Sequence, residues 1–457
     1  MSYLGNTPTT QSFISGTDYF NGTGSQTAFT LTRTVASQND VEAVVNNVVQ
    51  QPNAGYTISG TTITFTSAPS AGTQNVYVRY LSTTTQTIAT GQGTVGWNQL
   101  NSDTQQDLGI SFKNRIINGN MVIDQRNAGA SITPTSGQYS LDRWYSSLSQ
   151  TSKFTVQRNA GSVTPPAGFT NYLGVTSSSA YTVGASELFT VAQQIEGFNI
   201  ADLGWGTANA KTVTLSFWVR SSLTGTFGGV INNDGSSRSY PFTYTISSAN
   251  TWEYETITIA GDTTGTWGTT NGTGLNLRFG LGVGSSVSGT AGAWSGSTFY
   301  GATGATSVVG TNGATFYITG VMLEVGTQAT TFTLAGGSYG AELALCQRYY
   351  YKVFPQVLSA PLTETGYSVT TTTFNACNKF PVEMRTAPTA LEQNGTAANY
   401  EVRSTSTVAC SAVPTFSLAT TYSSTTVLTV ASGLTAGYGG FGRAANTTAY
   451  LAWSAEL

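Results

Sequence analysis

In KTVTLSFWVR (211–220) apolar and polar residues alternate without a break. Val213, Leu215, Phe217 and Val219 fall on one face, and Thr214, Ser216, Trp218 and Arg220 on the other. A strand has a side-chain period of two, so this stretch reads as a short strand. LNLRFGLGV (275–283) repeats the device through Leu275, Leu277, Phe279, Leu281 and Val283. Asn-Gly pairs at 21–22, 118–119, 271–272, 312–313 and 394–395, and Asp-Gly at 234–235, tolerate positive φ and so mark tight turns. Helical patterning is confined to 97–112 and 340–350. Strands that follow one another through turns, without crossover helices, predict an all-β chain of antiparallel β-sandwich domains. No internal repeat of about 20–50 residues is evident, which disfavours a solenoid or propeller.

Composition narrows the chemistry. Of 457 residues only 9% are charged, against about 25% in an ordinary soluble protein. The 18 basic and 21 acidic residues form no long run of either sign, so the expectation is no nucleic-acid partner. No stretch of about 18 apolar residues predicts a membrane span, and MSYLGNTPTTQSF lacks the basic and apolar regions of a signal peptide. Histidine is absent, which removes the commonest general base and metal ligand. Cys346, Cys377 and Cys410 are widely spaced with no CxxC pair, so neither zinc nor a disulfide framework is expected, and the cysteines read as small buried hydrophobes. Neither a resident cofactor nor a metal is expected. The 8 Trp, 23 Tyr and 21 Phe argue against disorder.

The chain divides into a small β unit at 1–85, a polar and partly helical connector at 86–115, a larger block at 116–338 with strands enough for a two-sheet sandwich, and a C-terminal block at 339–457. The first unit offers VEAVVNNVVQ, GYTISG, TTITFTSAP and QNVYVRYLS as successive strands.

Several segments resemble a known family. KNRIINGNMVIDQRNAG (113–129) and LDRWY (141–145) resemble the opening of a module common in bacteriophage tail fibres. FYITGVMLEVGTQATTF (316–332) and AELALCQRYYYKV (341–353) resemble its end, and FPVEMRTAPT (380–389) resembles a segment that often follows. AFTLTRTV, VEAVVNNVVQ, GYTISGTTITFTSAP and VYVRYL resemble in pattern the virion-attachment domain of podovirus tail fibres. The resemblance implies a jelly-roll-like sandwich akin to carbohydrate-binding modules, homotrimeric assembly, residues 1–85 joined to phage tail proteins, and a C-terminal region that meets a host surface glycan or outer-membrane receptor. It also implies residence in the virion after synthesis in the host cytoplasm.

Within this frame some residues stand out. Sugar binding uses aromatic faces against sugar C–H faces and short polar groups for the hydroxyls. Trp218 points away from the apolar stripe of its strand, as a stacking platform or as a packing residue in a second layer. GYGGFGR (437–443) reads as a glycine-rich surface loop offering Tyr438, Phe441 and Arg443 to a glycan, or as a plain turn. Its formal GxGxxG lacks the strand–helix context of a dinucleotide site. Asp124, Arg126, Asp142 and Arg143 belong to the resembling segments and read as buried Asp–Arg pairs that fix the first strands of the module. No catalytic residue is assigned. Glu253 and Glu255 share a strand face, and their spacing leaves open a carboxylate-based, tailspike-like glycan depolymerase. A purely structural tail protein is the other alternative.

Overall fold

The computed structural model describes residues 16–81 and 112–457. The helical pattern at 97–112, apart from Phe112, and most of the connector lie outside these residues. Two compact units divide between Gln99 and Leu100.

In the first unit, strands β1 (Thr17–Gly22), β2 (Ala28–Thr30), β3 (Val41–Val45), β4 (Val48–Val49), β5 (Tyr56–Ser59), β6 (Thr62–Phe65) and β7 (Gly72–Tyr80) build two sheets. Their orders are β1-β7-β3-β4 and β2-β6-β5. Phe29, Tyr56, Ile63, Phe65, Val76 and Val78 close a common core. VEAVVNNVVQ is a hairpin rather than one strand. Asn46 and Asn47 take φ of 51° and 62°, the paired positive values of a primed two-residue turn. Asn21-Gly22, expected as a turn, instead ends β1, with Gly22 opposite Gly72.

The second unit opens with a sandwich. Its strands are β8 (Tyr139–Leu141), β9 (Trp144–Leu148), β10 (Phe154–Arg158), β11 (Leu173–Ser177), β12 (Leu188–Glu196), β13 (Val213–Ser221), β14 (Gly225–Asn232), β15 (Ser239–Ile246), β16 (Glu253–Ile259), β17 (Thr273–Val283) and β20 (Thr315–Val325), with a short parallel pair, β18 (Ser288–Gly289) and β19 (Gly301–Ala302). A five-stranded antiparallel sheet, β10-β11-β20-β13-β16, faces a six-stranded one, β15-β14-β17-β12-β9-β8. The alternating stripes do what their period requires. Val213, Leu215, Phe217 and Val219 of one sheet and Leu275, Leu277, Phe279 and Leu281 of the other are fully buried. Phe217 meets Phe279 and Tyr244 across the interior, with ring centroids 5.0 Å apart in each case.

The chain continues into helix α1 (Tyr339–Gln347), the one α-helix among the described residues, where 340–350 is expected to be helical. Ser338 caps it by accepting from the Ala341 N–H, as an N-cap serine should. Then follow β21 (Tyr350–Val353), β22 (Pro361–Ser368), β23 (Thr373–Lys379), β24 (Leu391–Glu392), β25 (Tyr400–Arg403), β26 (Thr407–Ala409), β27 (Thr415–Ala419), β28 (Ser423–Thr429), β29 (Gly439–Ala444) and β30 (Leu451–Ser454). They form a seven-stranded sheet, β26-β25-β29-β22-β23-β28-β27, and a three-stranded one, β21-β30-β24. Phe374, Phe380, Tyr400, Leu428 and Trp453 form the core between them. The molecule is therefore all-β, with several antiparallel sheets.

Candidate functional site

The outer face of the five-stranded sheet carries the most distinctive surface. Trp218 on β13 stands opposite Tyr254 on β16, with ring centroids 5.3 Å apart. Cross-strand neighbours on one face are the closest side-chain pairs a sheet offers. On the other side, β20 carries one residue too many. Ser216 pairs with Met322 and Trp218 with Thr319, so Gly320 and Val321 together face Phe217. This is a β-bulge. Gly320 takes φ 61°, and the displaced Val321 N–H donates to Gly119 O at 2.9 Å. A Cβ on Gly320 would lie 2.6 Å from Phe169 Cζ and 3.2 Å from Trp218 Cδ1. The missing side chain is what lets the Phe169 ring lie beside Trp218.

Phe169 comes from the loop before β11, turned by the Phe169 N–H donating to Pro166 O at 3.0 Å. It meets Phe332 edge to face at 5.2 Å. The segment that bears Phe332 is pinned by Glu324, whose buried carboxylate accepts from Thr330 N–H and Thr330 Oγ1, both at 2.8 Å. Lys113 Nζ lies 3.7 Å from the same carboxylate. Trp218, Tyr254, Phe169 and Phe332, with Ala167, Gly168 and residues 329–331, line an open groove of about 540 Å³. Its lining carries no charged side chain. Aromatic walls with a few hydroxyls suit a flat ligand with one apolar face and a hydroxylated rim.

The remaining residues singled out from the sequence lie elsewhere. GYGGFGR is not a surface loop: Gly439–Ala444 is strand β29, hydrogen-bonded to β22 on one side and β25 on the other. Gly440 answers to close packing, since a Cβ there would lie 2.3 Å from Arg403 O, whereas Gly437 serves the turn with φ 86°. Tyr438 is exposed at the turn, Phe441 is half-buried, and Arg443 Nε donates to Glu401 Oε1 at 2.5 Å. None of the three lines the groove. Glu253 is engaged by the Ser247 and Ser248 N–H groups, the shorter bond at 2.7 Å. Burial and the neighbouring Glu253 charge raise the Glu255 pKa. Neither glutamate lines the groove. Cys346 and Cys410 are buried, but Cys377 is exposed, because it falls on the outward face of β23. Among the described residues no group of three or more Asp, Glu or Cys side chains is placed to hold a metal.

The expected Asp–Arg pairs are replaced by a different arrangement. Arg126 Nη2 pairs with Glu456 Oε1 at 2.8 Å, and Arg143 pairs with Glu456 Oε2. The partner thus comes from far along the chain, where no local spacing could reveal it. Asp142 instead accepts from Gln125 N–H at 2.7 Å and Gln125 Nε2 at 2.6 Å. Asp124 closes a turn by accepting from Asn127 and Gly129 N–H groups, with Arg158 Nε 3.9 Å away. Complete burial raises the Asp142 pKa to about 6 against the attraction of Arg126 and the Gln125 hydrogen bonds. Arg143 lies over the Tyr349 ring at 3.6 Å, and Arg348 holds Glu196 through two bonds of 2.9 and 2.6 Å. These contacts bind the sandwich to the C-terminal strands.

Tyr254 and Phe169 carry no signal that marks them as groove residues in the sequence. Phe332 ends one of the tail-fibre-like segments, and that was the available hint.

No protein-family model matches the chain, and no curated protein matches it. Solved structures with partial similarity include the enzymatically active domain of tailspike protein 4 of bacteriophage CBA120, at 14% identity and TM-score 0.26, over 47% of this chain and 22% of that one. The chain thus spans less than a quarter of that tailspike domain. A Bacteroides thetaiotaomicron protein described as a candidate sugar binding protein aligns at 12% identity and TM-score 0.28, over 47% of this chain and 100% of that one. A family 11 carbohydrate-binding module of Clostridium thermocellum, solved with a mixed-linked tetrasaccharide, aligns at 13% identity and TM-score 0.23, over 45% of this chain and 100% of that one. At such scores function is argued from the groove itself.

Proposed function

We propose that this protein captures a surface glycan without cleaving it, as a bacteriophage tail fibre attaching a virion to its host. The observation that carries the glycan reading is the uncharged groove in which Trp218 and Tyr254 stand side by side between Phe169 and Phe332. Pyranose rings present apolar C–H faces that stack on such rings, while hydroxyl groups at the rim exchange hydrogen bonds with threonines and water. The lining offers no carboxylate to act on a glycosidic bond, and Glu253 is engaged in a turn, so capture is favoured over a depolymerase.

The tail-fibre part of the reading rests on the segments 113–129, 141–145, 316–332 and 341–353 and on the pattern of the first unit. In it, residues 1–85 join the phage tail, residues 339–457 lie outermost, and three copies share one axis. Trimerisation turns weak single-site affinity into avidity.

The decisive experiment is affinity electrophoresis of the full chain through gels containing purified bacterial surface polysaccharides, beside Trp218→Ala. Retardation by at least one neutral polysaccharide is expected, with affinity lowered at least roughly tenfold in the variant, as for an aromatic anchor at the centre of a contact. Equal retardation of both proteins, or of neither, removes the reading. Electron-microscopy reconstruction of the virion tests the attachment half through the copy number and position of the chain.

A further inference from the structure

A second cavity, of about 510 Å³, differs from the groove in carrying charged side chains. Arg126 and Tyr139 on the sandwich side meet Tyr350, Lys352, Glu392 and Tyr450 on the side of the C-terminal strands. The Arg126 guanidinium lies 3.7 Å from the Tyr350 ring centroid and 4.8 Å from that of Tyr139. Lys352 Nζ donates to Arg126 O at 2.9 Å and sits 4.3 Å over the Tyr450 ring. That main-chain bond uses one of three ammonium donors. Glu392 Oε2 accepts from Tyr350 Oη at 3.1 Å.

Arg126 Nη2 is spent on Glu456 Oε1 at 2.8 Å, and two further donors lie just behind the wall. Arg126 Nε and Tyr139 Oη are buried and find no hydrogen-bond partner among the described residues. Buried polar groups are ordinarily satisfied, and an unmet donor beside a cavity calls for an acceptor. The cavity therefore offers cationic and hydroxyl donors on one part of its wall, a carboxylate on another and tyrosine faces between. A simple phosphate or sulfate would use the donors but would be repelled by Glu392. A neutral sugar would leave the remaining Lys352 ammonium donors without a charged acceptor.

We propose that this cavity binds an acidic sugar residue. Its carboxylate is held by the Lys352 ammonium, beside the Arg126 guanidinium that Glu456 already pairs, its ring hydroxyls donate to Glu392, and its C–H face rests on Tyr450. Charge-assisted hydrogen bonds of this kind are the strong ones in a polar site. The inference rests on the reading of the protein as a glycan binder, yet it uses none of the residues of the Trp218 groove. One chain would then read two features of a polysaccharide: a neutral stretch in the groove and a carboxylate-bearing unit in the cavity.

The test is calorimetric titration of the full chain and of Lys352→Met, Tyr450→Ala and Trp218→Ala, each checked for native circular dichroism. The probes are a galacturonic acid tetramer, its methyl ester, a sialic acid trimer and inorganic phosphate. At least one acidic oligosaccharide is expected to bind, roughly tenfold more weakly in Lys352→Met. Tyr450→Ala should weaken it too, Trp218→Ala should leave it unchanged, and about 0.5 M salt should weaken it by screening. The methyl ester should not compete. Failure of both acidic oligosaccharides to bind overturns the proposal, as does binding that depends on Trp218 instead of Lys352, or phosphate that competes as well as the sugar. If Lys352→Met does not fold, Tyr450→Ala and the ester decide. A neutral polysaccharide retarded through Trp218 while both acids fail sinks this inference and leaves the groove standing. The reverse pattern sinks the groove and leaves the cavity.

Discussion

Glu456 is one carboxylate shared by two buried guanidinium groups, Arg126 and Arg143. Removing one member of a buried ion cluster leaves the others desolvated without a counter-charge, at a cost of about 3–5 kcal/mol. Glu456→Gln should therefore lower the urea midpoint sharply, and restoring balance with Arg143→Met in the same chain should recover part of the loss. Asp142 works in the opposite sense. Burial lifts its folded pKa to about 6, above the ordinary aspartate value of 3.8. An acid whose pKa is raised on folding contributes stability that is full below the unfolded value and is lost as pH rises through the folded one. Between about pH 4 and pH 7 this group alone should withdraw up to about 3 kcal/mol. Asp142→Asn should flatten that part of the stability profile, seen as a smaller difference in urea midpoint between pH 4.5 and pH 7.5 than in the parent chain. An unchanged difference would show that Asp142 is already ionised in the fold without strain.

At the level of elements, β20 and its bulge set the groove. Gly320→Ala puts a side chain at φ 61° and a methyl group 2.6 Å from Phe169 Cζ. A non-glycine residue in that region costs about 1–3 kcal/mol. The variant should lose stability in this range and also lose polysaccharide retardation, because Phe169 is pushed off Trp218. Much of this level was legible. The stripe through Val213, Leu215, Phe217 and Val219 predicts the buried face of β13 and places Trp218 on the other, since strand periodicity is local. The identity of Trp218's neighbours was not, because Tyr254 reaches it through cross-strand register and Phe169 through a loop. GYGGFGR misled for a related reason. Glycine marks a turn and close backbone approach equally well, and only the neighbouring strands decide that Gly440 serves the second.

At the scale of the whole molecule, the divisions at 116 and 339 follow changes in composition, yet the described residues from 112 onward belong to one compact unit. Sequence alone could not show this, because its cement is long-range. Arg348 holds Glu196, Arg385 donates to Ala455 O and Glu456 O, and Ile117, Ile123, Cys346 and Tyr349 share one apolar cluster. Calorimetry of the full chain should therefore give two transitions, one for each unit, with only the larger one moved down by Glu456→Gln. Separate melting of residues 116–338 and 339–457 in the parent chain would contradict the seam.

The reach of Glu456 bears on how the chain is made. Arg143 and its counter-ion stand 313 positions apart. On a ribosome the guanidinium emerges long before the carboxylate that neutralises it, and domains ordinarily fold in the order they emerge. The sandwich must then wait with an open charged flank until the segment bearing Glu456 has been made. A polypeptide released before Glu456 is added would keep that flank uncovered, so this one carboxylate acts as a completion check on the sandwich.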